Sequence, residues 1–103
     1  MIQREQVVPK IIPINVSETE LEPMYRVIIH NDDVTPMDFV VAILERIFFV
    51  SGQAAVEIMY NAHYSGAAYV QSLPKNEAQS RIGRAHFAAG LDGYPLHFSM
   101  EPE

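Results

Sequence analysis

The stretch HNDDVTPMDFV, residues 30–40, lies where a strand-like run ends and an apolar helical run begins. It therefore decides how the first two elements of the chain are joined. Its polar residues Asn31, Asp32 and Asp33 carry hydrogen-bond acceptors in a row. Such side chains commonly bond to the free backbone amides of a turn or a helix start. The stretch either serves only this local purpose or also presents acceptors to a ligand.

The run before this stretch, MYRVIIH, residues 24–30, is rich in β-branched and aromatic side chains. Pro23 and Asn31 bound it, which predicts a strand. Two later runs have a similar character. These are AAYVQSL, residues 67–73, and YPLHFSME, residues 94–101, in which apolar residues alternate. The sequence thus predicts three strands.

A helix is predicted directly after the polar stretch. Thr35 is expected to cap it through its hydroxyl, with Pro36 in the first helical position. Asp38 then lies near the positive end of the helix dipole. Apolar side chains recur at helical spacing from Met37 as far as Phe48. We therefore expect this helix to be buried on most sides.

Two more helices are predicted farther along the chain. GQAAVEIMYNAHYS, residues 52–65, follows the N-cap residue Ser51 and ends at Gly66, a residue type that commonly ends helices. KNEAQSRIGRAHFAAG, residues 75–90, carries alanines at helical spacing and is expected to end at Gly90. The resulting order β-α-α-β-α-β predicts an α+β domain, with three helices on one face of a small antiparallel three-stranded sheet.

The first 23 residues differ from the rest of the chain. Three prolines interrupt them, the segment SETELEP is acidic, and nothing in them repeats with helical periodicity. We therefore predict a flexible N-terminal tail, residues 1–23, followed by a folded domain, residues 24–103.

Composition excludes several classes of protein. The chain has 103 residues, enough for one modest core, and a formal net charge of −6 with only seven Lys and Arg. Neither nucleic acid nor a membrane surface is an expected partner of such a chain. The absence of cysteine excludes disulfides and thiolate metal sites. The longest apolar run is broken by Glu45 and Arg46, and no signal peptide is evident, so a soluble cytoplasmic protein is predicted.

Sequence motifs of common enzymes are absent. There is no phosphate-binding loop, dinucleotide fingerprint, H-E-x-x-H or G-x-S-x-G motif in the chain. No two histidines have ligand spacing on one helix. We therefore predict a protein that is not an enzyme and uses no metal or cofactor. The weakest alternative is a metal-dependent hydrolase that uses His30, Asp32, Asp33 and His63.

A candidate ligand site joins the polar stretch to the second predicted helix. His63 lies near the end of that helix, one turn after Met59. If the first two helices pack side by side, both residues face the start of the first helix. The result is a pocket with acceptors at its mouth and an apolar floor. A free α-amino group suits such a mouth, because its pKa of about 7.7–8.0 leaves it mostly charged at neutral pH. The acceptors would then form charge-assisted hydrogen bonds with it.

Three segments of the sequence resemble the ClpS family, small bacterial and plastid adaptors that deliver N-degron substrates to Clp AAA+ proteases. They are YRVIIHNDDVTPMDFVVAILERIF, residues 25–48, AAVEIMYNAHYSGAA, residues 54–68, and PLHFSMEP, residues 95–102. The resemblance covers about residues 24–103 in the same order and spacing. It implies the fold predicted above and the N-terminal domain of a ClpA-type or ClpC-type unfoldase as partner. We predict a monomer.

The resemblance also implies roles for individual residues. Asn31, Asp32 and His63 are expected to bind the α-amino group of the substrate, while Asp33 and Thr35 shape and support the loop. The residues expected to line the side-chain pocket are Met37, Val40, Ile43, Met59 and Leu96. In the family this pocket accepts Leu, Phe, Tyr or Trp. The position of Met37 excludes β-branched side chains, which would crowd the pocket entrance.

One segment departs from the family pattern. In PKNEAQSR, residues 74–81, Asn76 and Gln79 stand where the family usually has acids, and Arg81 stands where it has Lys. Glu77 is one residue away from the expected acid, which is about 100° around a helix. Glu77 and Arg81 are nevertheless the expected docking contacts with the protease. The alternative is a ClpS-like regulatory module that binds a chaperone or another partner without recognising N-degrons.

Overall fold

The computed structural model describes residues 22–103. Its elements, in chain order, are β1 (Met24–His30), α1 (Met37–Arg46), α2 (Gly52–Ser65), β2 (Ala67–Pro74), α3 (Lys75–Leu91) and β3 (His97–Pro102). This order confirms the predicted β-α-α-β-α-β arrangement and the α+β class. The tail predicted for residues 1–23 lies almost entirely outside the described residues.

β1 is the central strand of the sheet. The strand order is β2-β1-β3, and β1 pairs with both neighbours in antiparallel fashion. Val27 and Ile29 are fully buried on the face of β1 that packs against the helices. His30, the last residue of β1, is opposite Ala67 of β2 and His97 of β3. The end of β1 therefore lies between the start of β2 and the start of β3.

The hydrophobic core lies between this sheet and the helices. The alanine face predicted for α3 is confirmed, since Ala78, Ala85 and Ala89 are all buried. Phe48 follows the end of α1 and is fully buried, with its ring 4.8 Å from that of Phe98 on β3. Within residues 22–103, no helix combines the length and apolar character needed to cross a membrane.

The start of α1 differs from the predicted cap. Pro36 is the N-cap residue, and no side chain caps the helix. The Thr35 hydroxyl donates a hydrogen bond to Asp32 at 2.9 Å. The Asp38 carboxylate accepts from the neighbouring Phe39 amide at 2.9 Å. The capping prediction was therefore wrong, because the helix begins one residue later than expected, with Pro36 rather than Thr35 at the N-cap.

The boundaries of α2 agree with the sequence analysis. Ser51 Oγ accepts a hydrogen bond from the Ala54 amide at 3.3 Å, and Gly66 ends the helix with a φ of 91°. A positive φ of this kind costs glycine little, which explains the residue type.

The ends of α1 and α3 differ from the sequence analysis. α1 ends at Arg46, and the turn that follows holds Phe49 at a φ of 58°, a left-handed conformation that is rare for a bulky residue. α3 continues one residue past Gly90, and the chain then reverses at Gly93 with a φ of 75°.

β3 is joined to α3 by a hydrogen bond from the Phe98 amide to His86 Nε2, at 2.9 Å. Burial lowers the pKa of His86, and the neighbouring His97, whose ring stacks 5.2 Å away, lowers it further. The neutral imidazole is the form that fits this contact, because a protonated Nε2 has no lone pair to accept the amide hydrogen. An uncharged His86 therefore stabilises the attachment of β3 to α3.

We predict that the free energy of unfolding falls as the pH drops below 6.5, the ordinary pKa of histidine. The sign follows from proton linkage, because the pKa of His86 is lower in the folded chain than in the unfolded chain. Below pH 6.5 the unfolded chain therefore binds a proton at His86 more readily, which favours unfolding. Urea denaturation at pH 7.5 and 5.5 measures the change. His86→Gln keeps an acceptor without a titrating group, so its loss of stability should be smaller. Equal losses in the two proteins would contradict this role of His86.

Candidate functional site

A cavity of about 170 Å³ opens where the loop after β1 faces the end of α2. It is lined by Ile29, His30, Asn31, Asp32, Asp33, Thr35, Met37, Val40, Met59, Ala62, His63 and Leu96. The apolar side chains on the floor are almost all buried, whereas Asn31, Asp33 and His63 are exposed at the mouth. The site thus has the apolar floor and polar mouth that the sequence analysis predicted for it.

Secondary structure explains why these residues meet. β1 ends at His30, and the next residue, Asn31, donates its backbone N–H to the carbonyl of Gly66 at 2.9 Å. Gly66 is the C-cap of α2, and His63 lies in the last turn of that helix. One backbone hydrogen bond therefore holds Asn31 beside the end of the helix that carries His63.

Asp32 organises the loop between β1 and α1. Its Oδ1 accepts hydrogen bonds from the amides of Val34 at 2.8 Å and Thr35 at 2.7 Å. Its Oδ2 accepts from the Thr35 hydroxyl at 2.9 Å. Burial alone would raise the pKa of Asp32, but these three hydrogen bonds outweigh it and hold the pKa below its ordinary value. Asp32 is therefore a carboxylate that shapes its own loop.

This finding corrects the predicted division of roles between the two aspartates. The loop-shaping contacts assigned to Asp33 are made by Asp32, whereas the supporting role of Thr35 agrees with the prediction. Within residues 22–103, the side chains of Asn31, Asp33 and His63 form no hydrogen bond to another protein group. These three side chains at the mouth therefore have acceptor atoms to offer to a ligand.

The apolar wall agrees with the sequence analysis at four of its five predicted positions: Met37, Val40, Met59 and Leu96. Ile43, the fifth residue, is buried in the core and is not among the residues that line the cavity. Ile29, His30 and Ala62 line the cavity and were missed. Ala62 is one helical turn from Met59, so the helical period could have found it.

Met37 stands at the entrance to the cavity. It is the first residue of α1 and is 43% exposed, although its neighbour on the wall, Val40, is buried. Its flexible thioether therefore lies on the cavity wall and is also open to solvent.

No group of three or more His, Asp or Glu side chains in the described part of the chain is arranged to hold a metal ion. His30, which belonged to the hydrolase alternative, has its Nε2 2.7 Å from the Ser99 hydroxyl. Acceptors that converge on an apolar cavity are suited to binding a donor-rich group attached to a hydrophobic one.

The predicted docking residue Arg81 is engaged inside the fold. Its Nε donates to Glu77 at 2.7 Å, and another guanidinium nitrogen donates to the Phe48 carbonyl at 3.3 Å and to Gln71 at 3.2 Å. The guanidinium also lies 5.0 Å from the ring centre of Phe49. Arg81 thus joins α3 to β2 and to the turn after α1, and its contact with a partner stays a prediction.

Comparison with known proteins identifies similar chains. The family model described as "ATP-dependent Clp protease adaptor protein ClpS" matches residues 20–99, which include every residue that lines the cavity. The ClpS adapter protein of Desulfatibacillum aliphaticivorans is 42% identical over 86 residues, 84% of this chain and 83% of that protein. The ClpS adapter protein of Myxococcus xanthus is 40% identical over 81 residues, 79% and 76% of the two chains.

A solved structure has the same fold. It is that of Agrobacterium tumefaciens ClpS2 bound to L-phenylalaninamide, with a TM-score of 0.76 and 33% sequence identity. The match covers 80% of this chain and 99% of that chain. The shared fold therefore extends over nearly all of the solved protein.

We predict that Arg81→Ala lowers the free energy of unfolding by about 1–3 kcal/mol, because it removes charge-assisted hydrogen bonds from a largely buried guanidinium. Urea denaturation measures the loss. Arg84→Ala is the matched control, since Arg84 is an exposed residue of the same helix. A similar loss in both variants would show that the contacts of Arg81 add no stability.

Proposed function

Since this chain belongs to the ClpS family of Clp protease adaptors, we propose that it binds N-degron substrates and delivers them to a Clp AAA+ protease. It would recognise the free α-amino group and the bulky hydrophobic first residue of the substrate. The observation that carries the proposal is the convergence of exposed acceptors from Asn31, Asp33 and His63 on the mouth of an apolar cavity.

The mouth is chemically matched to an α-ammonium group. That group has three N–H donors and one positive charge, and the mouth offers an amide oxygen, a carboxylate and an imidazole nitrogen. The sequence analysis assigned the carboxylate contact to Asp32. Because three of the roughly four acceptor positions of the Asp32 carboxylate already take hydrogen bonds within the loop, whereas Asp33 is exposed, we propose that Asp33 makes the direct contact. Asp32 would hold the loop in place and add negative charge nearby.

The cavity is matched to a single large apolar side chain. A dry cavity of about 150 Å³ is known to hold benzene, and the present one is slightly larger, at about 170 Å³. We propose Leu, Phe, Tyr or Trp as the first residue, with Met37 acting against β-branched side chains. L-phenylalaninamide, bound by the similar ClpS2, has a free α-amino group, a benzyl side chain and an amide in place of the next peptide bond.

The proposed protease partner is the N-terminal domain of a ClpA-type or ClpC-type unfoldase, bound by a monomer of this chain. Glu77 is half-exposed and already pairs with Arg81, so the docking face would present an ion pair and the exposed ring of Phe49. The cytoplasmic location stays a prediction. The departures at Asn76 and Gln79 favour one alternative, a regulatory module that binds a partner without N-degron recognition.

Fluorescence anisotropy tests the proposal with a labelled peptide that begins with Phe. We expect N-acetylation to weaken binding about 100-fold, because it removes the charge and leaves two acceptors without partners. An Ile-first peptide should also bind weakly, since its branched Cβ meets Met37. Equal affinity for the acetylated peptide would overturn amine recognition and favour the regulatory alternative.

The two aspartates are expected to behave differently on substitution. Asp33→Ala should weaken binding of the Phe-first peptide about tenfold, the loss of one charge-assisted hydrogen bond, and leave the free energy of unfolding unchanged. Asp32→Ala should weaken binding and also lower stability by about 1 kcal/mol, because it frees the Val34 and Thr35 amides.

The contrast between these variants also tests the original assignment. Full affinity in Asp33→Ala would overturn the direct contact between Asp33 and the amine. Measuring peptide affinity and urea denaturation on the same protein preparations separates a binding effect from a folding effect.

A further inference from the structure

An exposed pair of aromatic residues lies on α2 beside the cavity mouth. The rings of Tyr60 and Tyr64 are one helical turn apart and stack with 6.1 Å between centroids and 16° between planes. Tyr64 also contacts His63 edge to face, with 5.0 Å between centroids. Tyr64 is 79% exposed and Tyr60 is 44% exposed. A continuous aromatic surface therefore runs outward from the rim residue His63.

We propose that Tyr64 binds the side chain of the second residue of a peptide whose first residue occupies the cavity, and selects for an aromatic residue there. The proposal rests on the proposed function, because it requires the α-amino group to lie beside His63. It adds a specificity-determining residue outside the cavity, with a defined ligand chemistry.

The distances allow this contact. Consecutive Cα atoms are about 3.8 Å apart, so the second residue lies just outside the mouth when the first side chain is inside. The Tyr64 ring is centred 5.0 Å from the His63 ring, and Tyr64 itself does not line the cavity. An aromatic side chain extends far enough from its Cα to cover this distance.

The energetics favour an aromatic ligand. Most of the Tyr64 ring surface is exposed, so a second ring has room to contact it. The Tyr60 ring is nearly parallel to the Tyr64 ring, with 6.1 Å between the two centroids. An aromatic pair of this kind corresponds to about a threefold to tenfold gain in affinity.

Other exposed side chains of the β1–α1 segment offer a competing contact for the second residue. They are those of Val34, which is 63% exposed, and Met37, which lines the cavity. These aliphatic groups have no aromatic ring to pair with a second-residue ring. A second residue that contacts Tyr64 would bind less tightly when Tyr64 is substituted. One that contacts Val34 would bind less tightly when Val34 is substituted.

The test compares two labelled peptides, Phe-Ala and Phe-Trp at the first two positions, by fluorescence anisotropy. In the wild-type protein we expect Phe-Trp to bind about threefold to tenfold more tightly than Phe-Ala. The gain should vanish in Tyr64→Ala and persist in Tyr64→Phe. Phe87→Ala is the control, since it removes an equally exposed aromatic side chain from α3. If Tyr64→Ala also disturbs His63, binding of both peptides weakens alike, so this effect cancels from the ratio of the two affinities.

Each failure has a distinct meaning. If Phe-Ala binds but Trp brings no gain, or the gain survives in Tyr64→Ala, the proposed function stands and the role of Tyr64 is overturned. If the affinity gain from Trp is lost in Val34→Ala but kept in Tyr64→Ala, the second residue contacts Val34. That result also overturns the role of Tyr64. No binding of either peptide to the wild-type protein overturns the proposed function and this inference together.

Discussion

The three hydrogen bonds accepted by the Asp32 carboxylate hold together the loop on which the site depends. They fix the backbone at Val34 and Thr35 and turn the chain from β1 into α1. The low pKa of Asp32 keeps the carboxylate ionised well below neutral pH, so these bonds persist at physiological pH. With Asp32 committed to the loop, the neighbouring Asp33 is left exposed at the mouth of the cavity.

The other wall of the mouth is positioned by the end of α2. Gly66 ends that helix in a left-handed conformation, and its carbonyl accepts the Asn31 amide. The same residue therefore stops the helix that carries His63 and holds the loop that carries Asn31. Acceptors from two distant parts of the chain are thereby brought to one rim, which reduces the conformational entropy lost when a ligand binds.

A second network stabilises the opposite side of the molecule. Phe49 has a left-handed backbone, an unfavourable conformation for a bulky residue, and Arg81 contacts both its ring and the carbonyl of Phe48. Such strain persists only where the surroundings compensate for it, and the guanidinium supplies several of the contacts. In this protein the guanidinium of Arg81 therefore contributes to the stability of the fold.

Local rules in the sequence determined the strands, the helices, and the boundaries of α2 at Ser51 and Gly66, because periodicity and capping act over a few residues. Most of the cavity followed from the resemblance and from packing two predicted helices. Tertiary structure alone decided that Ile29 rather than Ile43 lines the cavity, and that Arg81 contacts β2 and the turn after α1. These contacts join residues that lie far apart in the sequence, so only the packing of the helices against the sheet and against one another decides them.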